Sequence, residues 1–138
     1  MQANNLLLGD IKIGDSTSFL RSFTEEDILL FSKLSGDENP LHMDETYAKN
    51  TSFGQRVVHG MLVASLCSRL VGMNLPGKRC LYLGQTLNFR NPVFLDDVLS
   101  VSGTVTFKSE STSIIKINIS IKKETLIVLD GEATVQLI

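Results

Sequence analysis

The chain contains one segment, residues 58–71, that is apolar on nearly every side when it is drawn as a helix. Its chief polar interruptions are Ser65, Ser68 and Arg69. A helix with so little polar surface has to be buried on most of its sides. The segment ends at Gly72, and a Pro-Gly pair marks the turn that follows. The remaining chain must therefore supply a surface that encloses a helix.

Residues 80–138 contain four runs in which apolar and polar side chains alternate, as in antiparallel strands with one buried face. The residues predicted to face the core are Leu81, Leu83, Leu87, Phe89, Leu99, Val101, Val105, Phe107, Ile115, Ile117, Ile119, Ile121, Ala133, Val135 and Leu137. A further short strand is expected at residues 17–23. Together these patterns predict an α+β fold in which a curved antiparallel sheet of about five strands wraps one long central helix. We expect a single domain over residues 1–138, and a homodimer in which a second copy covers an exposed strand edge.

Charge and hydropathy exclude some classes of partner, and the cysteines indicate a location. The 138 residues include 13 Lys and Arg against 15 Asp and Glu, so no nucleic-acid partner is expected. There is no polybasic patch and no uninterrupted apolar run of sufficient length, so no membrane partner is expected either. Cys67 and Cys80 lack a paired spacing, which favours free thiols and a reducing, cytoplasmic location.

A helix is expected between residues 24 and 36. Thr24 suits its N-cap, Asp27 stands at the capping-box position, and Gly36 suits a left-handed C-terminal cap. The residues of this helix that are predicted to face the core are Ile28, Phe31 and Leu34.

Residues 36–42, with the sequence Gly-Asp-Glu-Asn-Pro-Leu-His, form the first candidate site. Pro40 and the neighbouring Gly, Asp and Asn residues argue against regular helix here. A stiff loop can hold the carboxylate of Asp37 and the imidazole of His42 against one small volume, as proton transfer requires. The same residues also fit a helix cap followed by an Asx turn, with His42 at the surface. Composition and spacing leave both interpretations open.

The start of the apolar helix, Val57-Val58-His59-Gly60-Met61-Leu62, is the second candidate. Free backbone N–H groups and the positive end of the helix dipole lie at such a start. Gly60 would let a ligand carbonyl approach the backbone closely, which an oxyanion hole needs. Alternatively, Gly60 serves only a tight entry beneath the sheet, and His59 is a hydrogen-bonded core histidine.

No metal site is expected, although several side chains carry suitable donor atoms. These residues are Asp37, His42, Asp44, His59 and Cys67. None of them stands in an HxxxH, HExxH or paired-cysteine spacing. The chain also lacks a Gly-x-Ser-x-Gly elbow, a phosphate-binding glycine loop and a dinucleotide fingerprint.

Three segments together closely resemble the hydratase-2 signature of the MaoC-like family. They are Phe23-Thr24-Glu25-Glu26-Asp27, Leu34-Ser35-Gly36-Asp37-Glu38-Asn39-Pro40-Leu41-His42 and Val58-His59-Gly60-Met61-Leu62. The resemblance covers nearly the whole chain and implies the hot-dog fold, a long helix wrapped by a curved antiparallel sheet. It also implies an (R)-specific enoyl-CoA hydratase, which reversibly adds water with syn geometry to trans-2-enoyl-CoA and yields (R)-3-hydroxyacyl-CoA. No cofactor is expected, because CoA or phosphopantetheine serves only as the thioester carrier of the substrate.

The resemblance implies roles for individual residues. The catalytic Asp and His of the family correspond to Asp37 and His42, and the sequence does not decide which of them is the general base. Asn39 would shape the site, the N–H of Gly60 would bind the thioester oxygen, and Ser68 would have a supporting role.

The predicted substrate-binding set also includes His59, Leu66 and Val71. The acyl chain would lie between the central helix and the sheet, so Leu66 and Val71 would set the depth of its pocket. The basic residues considered for the carrier phosphates are Lys78, Arg90 and Lys108.

Three alternative functions stay open at this point. A 3-hydroxyacyl-ACP dehydratase would take acyl-carrier protein as its partner instead of CoA. A hot-dog acyl-thioester hydrolase would share the fold and the carbonyl-binding helix start. A non-catalytic partner subunit should lack the Asp or the His of the loop, whereas this chain keeps both.

Overall fold

The computed structural model describes residues 1–138. The strands are β1 Ser16–Arg21, β2 Cys80–Gln85, β3 Asn88–Phe89, β4 Leu99–Ser109, β5 Ile114–Lys123 and β6 Leu126–Leu137. The helices are α1 Glu25–Ser35, α2 Pro40–Met43, α3 Glu45–Lys49 and α4 Gly60–Arg69, and α4 continues into a wider π-helical turn over Leu70–Asn74. None of these helices has the length and apolar content that a membrane crossing requires.

All six strands belong to one antiparallel sheet, one more than the approximate number expected. The order is β1-β4-β5-β6-β2, and the two-residue β3 pairs with β6 beside β2. The run of isoleucines predicts β5 correctly, since Ile115, Ile117, Ile119 and Ile121 are all fully buried. Strand β5 lies in the middle of the sheet, so its inward face meets the core along its whole length.

The central helix packs against strands from both edges of this sheet. Helix α4 contacts β6, and its π-helical extension contacts β1, β2 and β4. Strands lie about 4.8 Å apart, so the edge strands β1 and β2 of a flat sheet would be about 19 Å apart. A helix is only about 10 Å across, so the sheet must curve around it to make both contacts. The predicted hot-dog architecture is therefore confirmed.

The central helix differs from the prediction at both ends. It begins at Gly60 instead of residue 58, and it passes Gly72 to end at Asn74. The wider last turn is closed by the Leu75 N–H, which donates to the Leu70 carbonyl. One stripe of the helix, which includes Met61, stays exposed in the single chain.

Several residues predicted to face the core are exposed instead. They are Leu34 on α1, Leu81 and Leu83 on β2, Phe89 on β3 and Phe107 on β4. Strands β2 and β4 each contain a bulge, which shifts the register and turns later side chains to the other face. On β2 the inward side chains are Cys80 and Tyr82, so the predicted parity of this strand is wrong. Of the three α1 residues predicted to face the core, only Ile28 is fully buried and Phe31 is partly buried, because this helix lies at the rim of the core.

The loop expected over residues 36–42 contains a short helix that the sequence analysis excluded. Helix α2 begins at Pro40, which needs no N–H partner in the first turn of a helix. Asn39 forms its N-cap by accepting a hydrogen bond from the Leu41 N–H at 2.9 Å. The prediction of Thr24, Asp27 and Gly36 as caps of α1 is confirmed, with Gly36 in the left-handed region.

Candidate active site

The backbone around Asp37 is held by hydrogen bonds within the loop itself. The Asp37 N–H donates to the Ser35 hydroxyl at 3.1 Å, and one Asp37 carboxylate oxygen accepts from the Asn39 N–H at 3.2 Å. Asn39 in turn caps α2, so its side chain shapes the loop and does not line the cavity described below. The Asp37 side chain is exposed at the surface of the single chain. A carboxylate is therefore presented to solvent on a locally stiffened turn.

His42 lies on α2, and its ring has a defined orientation. Its Nδ1 is 2.7 Å from the carbonyl oxygen of Val57, in the segment that leads into α4. A carbonyl only accepts hydrogen bonds, so Nδ1 carries the proton and donates it. In the neutral ring the lone pair then lies on Nε2, the nitrogen without a partner in the chain. His42 thus offers one free nitrogen for proton exchange.

His59 is the residue that precedes α4, and it is 1% exposed. Its Nε2 is 3.0 Å from the backbone oxygen of Asp37, and its Nδ1 is buried without a hydrogen-bond partner. The ring lies against that of His42, with centroids 4.0 Å apart and planes tilted by 34°. On another side it meets Phe31 edge to face at 4.9 Å. The structure thus brings the loop and the start of α4 together.

A cavity of about 280 Å³ opens beside His42 and Gly60. The residues that line it are His42, Phe53, Val57, Val58, Gly60, Val63, Phe89, Arg90, Asn91, Pro92, Val93 and Val128. Side-chain atoms of Asp37, His42 and His59 lie within 4.8 Å of one another next to it. An acid, an imidazole and an apolar cavity are thus adjacent.

Gly60 begins α4, and its N–H is free of any hydrogen bond within the chain. The ring of Phe89 packs directly over this glycine: a β-carbon placed there would be 3.0 Å from the nearest ring atom. A larger residue at this position would displace the ring, which is part of the cavity lining. The missing side chain therefore serves both close packing and access of a ligand to the helix start.

The other predicted site residues lie apart from this cluster. Ser68 is exposed on α4, eight residues after Gly60 and hence about 12 Å farther along the helix axis. Leu66 and Val71 are buried core residues that do not line the cavity. Of the basic residues considered for the carrier, Arg90 lines the cavity, Lys108 pairs with Glu110, and Lys78 is exposed.

Asp37, His42 and His59 are also the residues that could offer atoms to a metal ion. Two imidazole nitrogens of this group are already directed at carbonyl oxygens, His42 Nδ1 at Val57 and His59 Nε2 at Asp37. The two rings also stack, whereas metal-binding imidazoles converge on one point with their nitrogens. The arrangement suits proton transfer better than metal binding.

Arg56 joins the elements that flank the loop, and the sequence analysis did not single it out. Its guanidinium donates to the Glu25 carboxylate at the start of α1 and lies 3.6 Å from a Glu45 carboxylate oxygen at the start of α3. It also reaches the Met43 carbonyl at the end of α2. The Arg56 side chain is only 11% exposed. The available signal was a lone arginine just before the apolar segment, with acids at the predicted start of the helix over residues 24–36.

Replacing Arg56 with Met is expected to lower the free energy of unfolding by about 1–2 kcal/mol, because the largely buried guanidinium joins two half-exposed carboxylates and a backbone carbonyl. The loop should also be held less firmly, because α1, α2 and α3 lose a common contact. Arg21→Met is the matched control: its pair with Asp27 is at the surface and should contribute less than about 1 kcal/mol. Denaturant unfolding of both variants measures the difference, and equal losses would contradict a special role for Arg56.

Stability should fall as the pH drops below about 6.5, the ordinary pKa of histidine in an unfolded chain. Burial is the main reason that the pKa of His59 is lowered, and a charge on the adjacent His42 lowers it further. The unfolded chain then binds a proton that the folded chain resists, so acid favours unfolding. Thermal unfolding at about pH 7.5 and about pH 5.5 should show a larger drop for the natural chain than for His59→Gln. An equal drop would show that His59 is not responsible.

A long helix wrapped by an antiparallel sheet, with an acid and an imidazole close to the free N–H at the helix start, defines a hot-dog protein. The chain belongs to the MaoC-like family: the family model described as MaoC like domain matches residues 12–125. The family resemblance drawn from the motifs is thereby confirmed.

Relatives of known name align with most of this chain, and a solved structure among them shares its fold. The (R)-specific enoyl-CoA hydratase of Rhodospirillum rubrum is 38% identical, over 98% of this chain and 96% of its own length. The mitochondrial 3-hydroxyacyl-[acyl-carrier-protein] dehydratase of Solanum lycopersicum is 39% identical, over 92% of this chain and 78% of its own. The unliganded structure of the R-hydratase PhaJ1 from Pseudomonas aeruginosa has a TM-score of 0.93 at 36% identity and covers 99% of this chain and 88% of that one.

Proposed function

We propose that this protein is an (R)-specific enoyl-CoA hydratase, a hydro-lyase that adds water reversibly to a trans-2-enoyl thioester and acts as a single MaoC-like hot-dog domain. The observation that carries the proposal is the adjacency of Asp37, His42 and the free Gly60 N–H beside one apolar cavity. The similarity to proteins named (R)-specific enoyl-CoA hydratase supports the substrate class.

Hydration of a conjugated thioester places negative charge on the carbonyl oxygen as water adds to the β-carbon. A donor at the start of a helix stabilises that charge, and one such donor is worth about 3 kcal/mol in comparable oxyanion holes. The Gly60 N–H has no other partner and lies at the cavity, so it is the donor we assign. Because this stabilisation requires only a backbone N–H, the reaction needs no cofactor.

The water is held between Asp37 and His42. We assign proton exchange to Nε2 of His42, because its Nδ1 is committed to the Val57 carbonyl. The Asp37 carboxylate accepts the second hydrogen of the same water and orients its oxygen toward the β-carbon. His42 Nε2 takes one proton from the water as the oxygen bonds to the β-carbon, and the imidazolium then returns that proton to the α-carbon from the same side, which gives syn addition and restores the neutral ring.

The assay that tests the proposal uses crotonyl-CoA and follows both the enone absorbance and free thiol. Loss of absorbance without release of thiol is the expected result. Release of free CoA would instead identify the acyl-thioester hydrolase, and no reaction at all would favour a non-catalytic partner subunit. Chiral analysis of the product and a series of enoyl chains from C4 to C12 then define stereochemistry and chain length.

A 3-hydroxyacyl-[acyl-carrier-protein] dehydratase is the second candidate, favoured by the 39% identity to the tomato enzyme of that name. The reacting groups would be the same, since only the carrier of the phosphopantetheine thioester differs. Comparing kcat/KM for one acyl chain on CoA and on acyl-carrier protein decides between the two.

The cytoplasmic location stays a prediction, and both cysteines are free thiols.

We further propose that the protein works as a homodimer joined through β2. This strand forms an edge of the sheet, and Leu81 and Leu83 on it and Phe89 on β3 are about half exposed. Met61 on the open stripe of α4 is 59% exposed as well. A second copy would cover these apolar groups and remove the unpaired strand edge.

Leu83→Glu is expected to weaken the dimer by at least about tenfold, since the charge would be buried at the β2 edge, where it is costly without a partner. Leu20→Glu is the matched control, because Leu20 is 67% exposed on β1 at the opposite edge of the sheet. Sedimentation equilibrium measures both. If Leu20→Glu dissociates the dimer while Leu83→Glu does not, the interface lies at the other edge.

A further inference from the structure

His59 is a buried polar residue, and its side chain contacts residues outside its own helix. It stands at the N-cap position of α4, yet its side chain makes no hydrogen bond to the first turn of that helix. Apart from Ser32, it is the only buried polar or charged residue in the chain. A polar side chain in such a place requires a reason, because burial without full hydrogen bonding costs free energy.

The hydrogen bond of His59 reaches the backbone of the loop. The Asp37 carbonyl oxygen accepts from Nε2 at 3.0 Å, so Nε2 must carry the proton. This contact joins Asp37 to a residue next to Gly60, across 22 positions of the chain. The acid and the helix N–H are thereby held at a defined separation.

The ring of His59 acts on the second member of the pair. It lies against His42 with centroids 4.0 Å apart, and Phe31 supports it from another side at 4.9 Å. The Val57 carbonyl fixes the direction in which His42 points, and the stacked ring restricts rotation of its plane. Nδ1 of His59 has no partner, so the ring has no second acceptor that would hold an imidazolium.

We propose that His59 is a positioning residue: as a neutral imidazole it holds the Asp37 backbone by its Nε2–H and the plane of the His42 ring by stacking. His59 is 1% exposed and does not line the cavity, so it acts through its neighbours and not by contact with substrate. This inference rests on the proposed hydratase function and replaces the substrate-binding role predicted for His59. Small errors in the placement of reacting groups reduce turnover strongly, so loss of either contact should be visible in kcat.

Two substitutions separate the contacts. His59→Phe keeps a ring against His42 but removes the donor to Asp37, whereas His59→Gln keeps an N–H donor and removes the ring. Each is expected to lower kcat by about 10-fold to about 100-fold, with KM changed less than about threefold. Cys67→Ala is the control, because Cys67 is buried on the same helix away from the cavity and should lose stability without losing kcat.

A purely structural His59 would give a different result. Its variants would then lower the unfolding temperature as Cys67→Ala does, and kcat per folded molecule would stay within about twofold. That outcome would overturn the proposal.

A spectroscopic measurement on the natural chain tests the same idea if the variants do not fold. The ¹⁵N shifts of the His59 ring at neutral pH should show the neutral tautomer with its proton on Nε2. An Nδ1–H tautomer or an imidazolium would overturn the proposal. This result does not depend on turnover, so a failure of the hydratase assay is distinguishable from a failure of the positioning role.

Discussion

Replacing Asp37 with Asn is expected to lower kcat by more than about a hundredfold while the protein stays folded. The amide lacks the negative charge with which the Asp37 carboxylate holds and orients the water. It keeps an oxygen that can accept from the Asn39 N–H, so the turn of the loop should survive. Steady-state hydration of crotonyl-CoA measures the loss, and circular dichroism verifies the fold.

His42→Ala should lower kcat by more than about a hundredfold as well, because no nitrogen then remains to exchange a proton with the water. Alanine also leaves the Val57 carbonyl without its donor, which could loosen the site for a second reason. His42→Asn removes that ambiguity: its amide nitrogen can replace Nδ1 toward the carbonyl but offers no base. We expect both variants to be equally inactive.

Glu38→Gln is the matched control for this pair, since Glu38 is an exposed acid in the same loop. Its turnover should stay within about twofold of the natural chain, as for an ordinary surface substitution. Near-normal turnover in the Asp37 or His42 variants would remove the acid–base assignment, whatever the behaviour of the control.

The second large effect is expected at Gly60, where two substitutions isolate the backbone donor. Gly60→Ala adds a β-carbon against Phe89 but keeps the N–H, whereas Gly60→Pro adds the same β-carbon and replaces the N–H hydrogen with the Cδ of its ring. Proline fits the first position of a helix, and the extended backbone of His59 (φ −52°, ψ 127°) suits a residue before proline. The fold should therefore accept both changes.

The kcat of Gly60→Pro should be lower than that of Gly60→Ala by about a hundredfold to a thousandfold, the usual loss for one oxyanion donor. The comparison removes the effect of displacing Phe89, because the two variants share it. Parallel thermal melts check that proline has not disrupted α4. Equal kcat in the two variants would show that the thioester oxygen does not depend on the Gly60 N–H.

The fold was predictable where burial and local pattern agree. Strand β5 is covered along its whole inner face, so its strict alternation of isoleucines with polar residues identifies the strand and its orientation. The caps of α1 were predictable because Thr24, Asp27 and Gly36 act through contacts within a few residues. The hydratase-2 motif added the hot-dog fold, which the family model and the solved relatives confirm.

The prediction was wrong where distant parts of the molecule decide which side of an element is buried. Leu81 and Leu83 alternate like core residues, but β2 is an edge strand with a bulge and directs them away from the central helix. Leu34 on α1 is 87% exposed for a related reason, since this helix lies at the rim. Periodicity shows that one face of an element is apolar, but it does not show whether that face packs on the core or lies at the surface.

The sequence by itself determined the main strands and helices, the caps of α1 and the two motifs from which the candidate residues Asp37, His42 and Gly60 were chosen, because these features depend on neighbours along the chain. Only the tertiary structure decided that His59 and Arg56 hold those motifs together. These contacts join residues that are 22 and 31 positions apart in the sequence, and only folding brings such residues together. The curvature of the sheet around α4 likewise arises only when all strands pack at once.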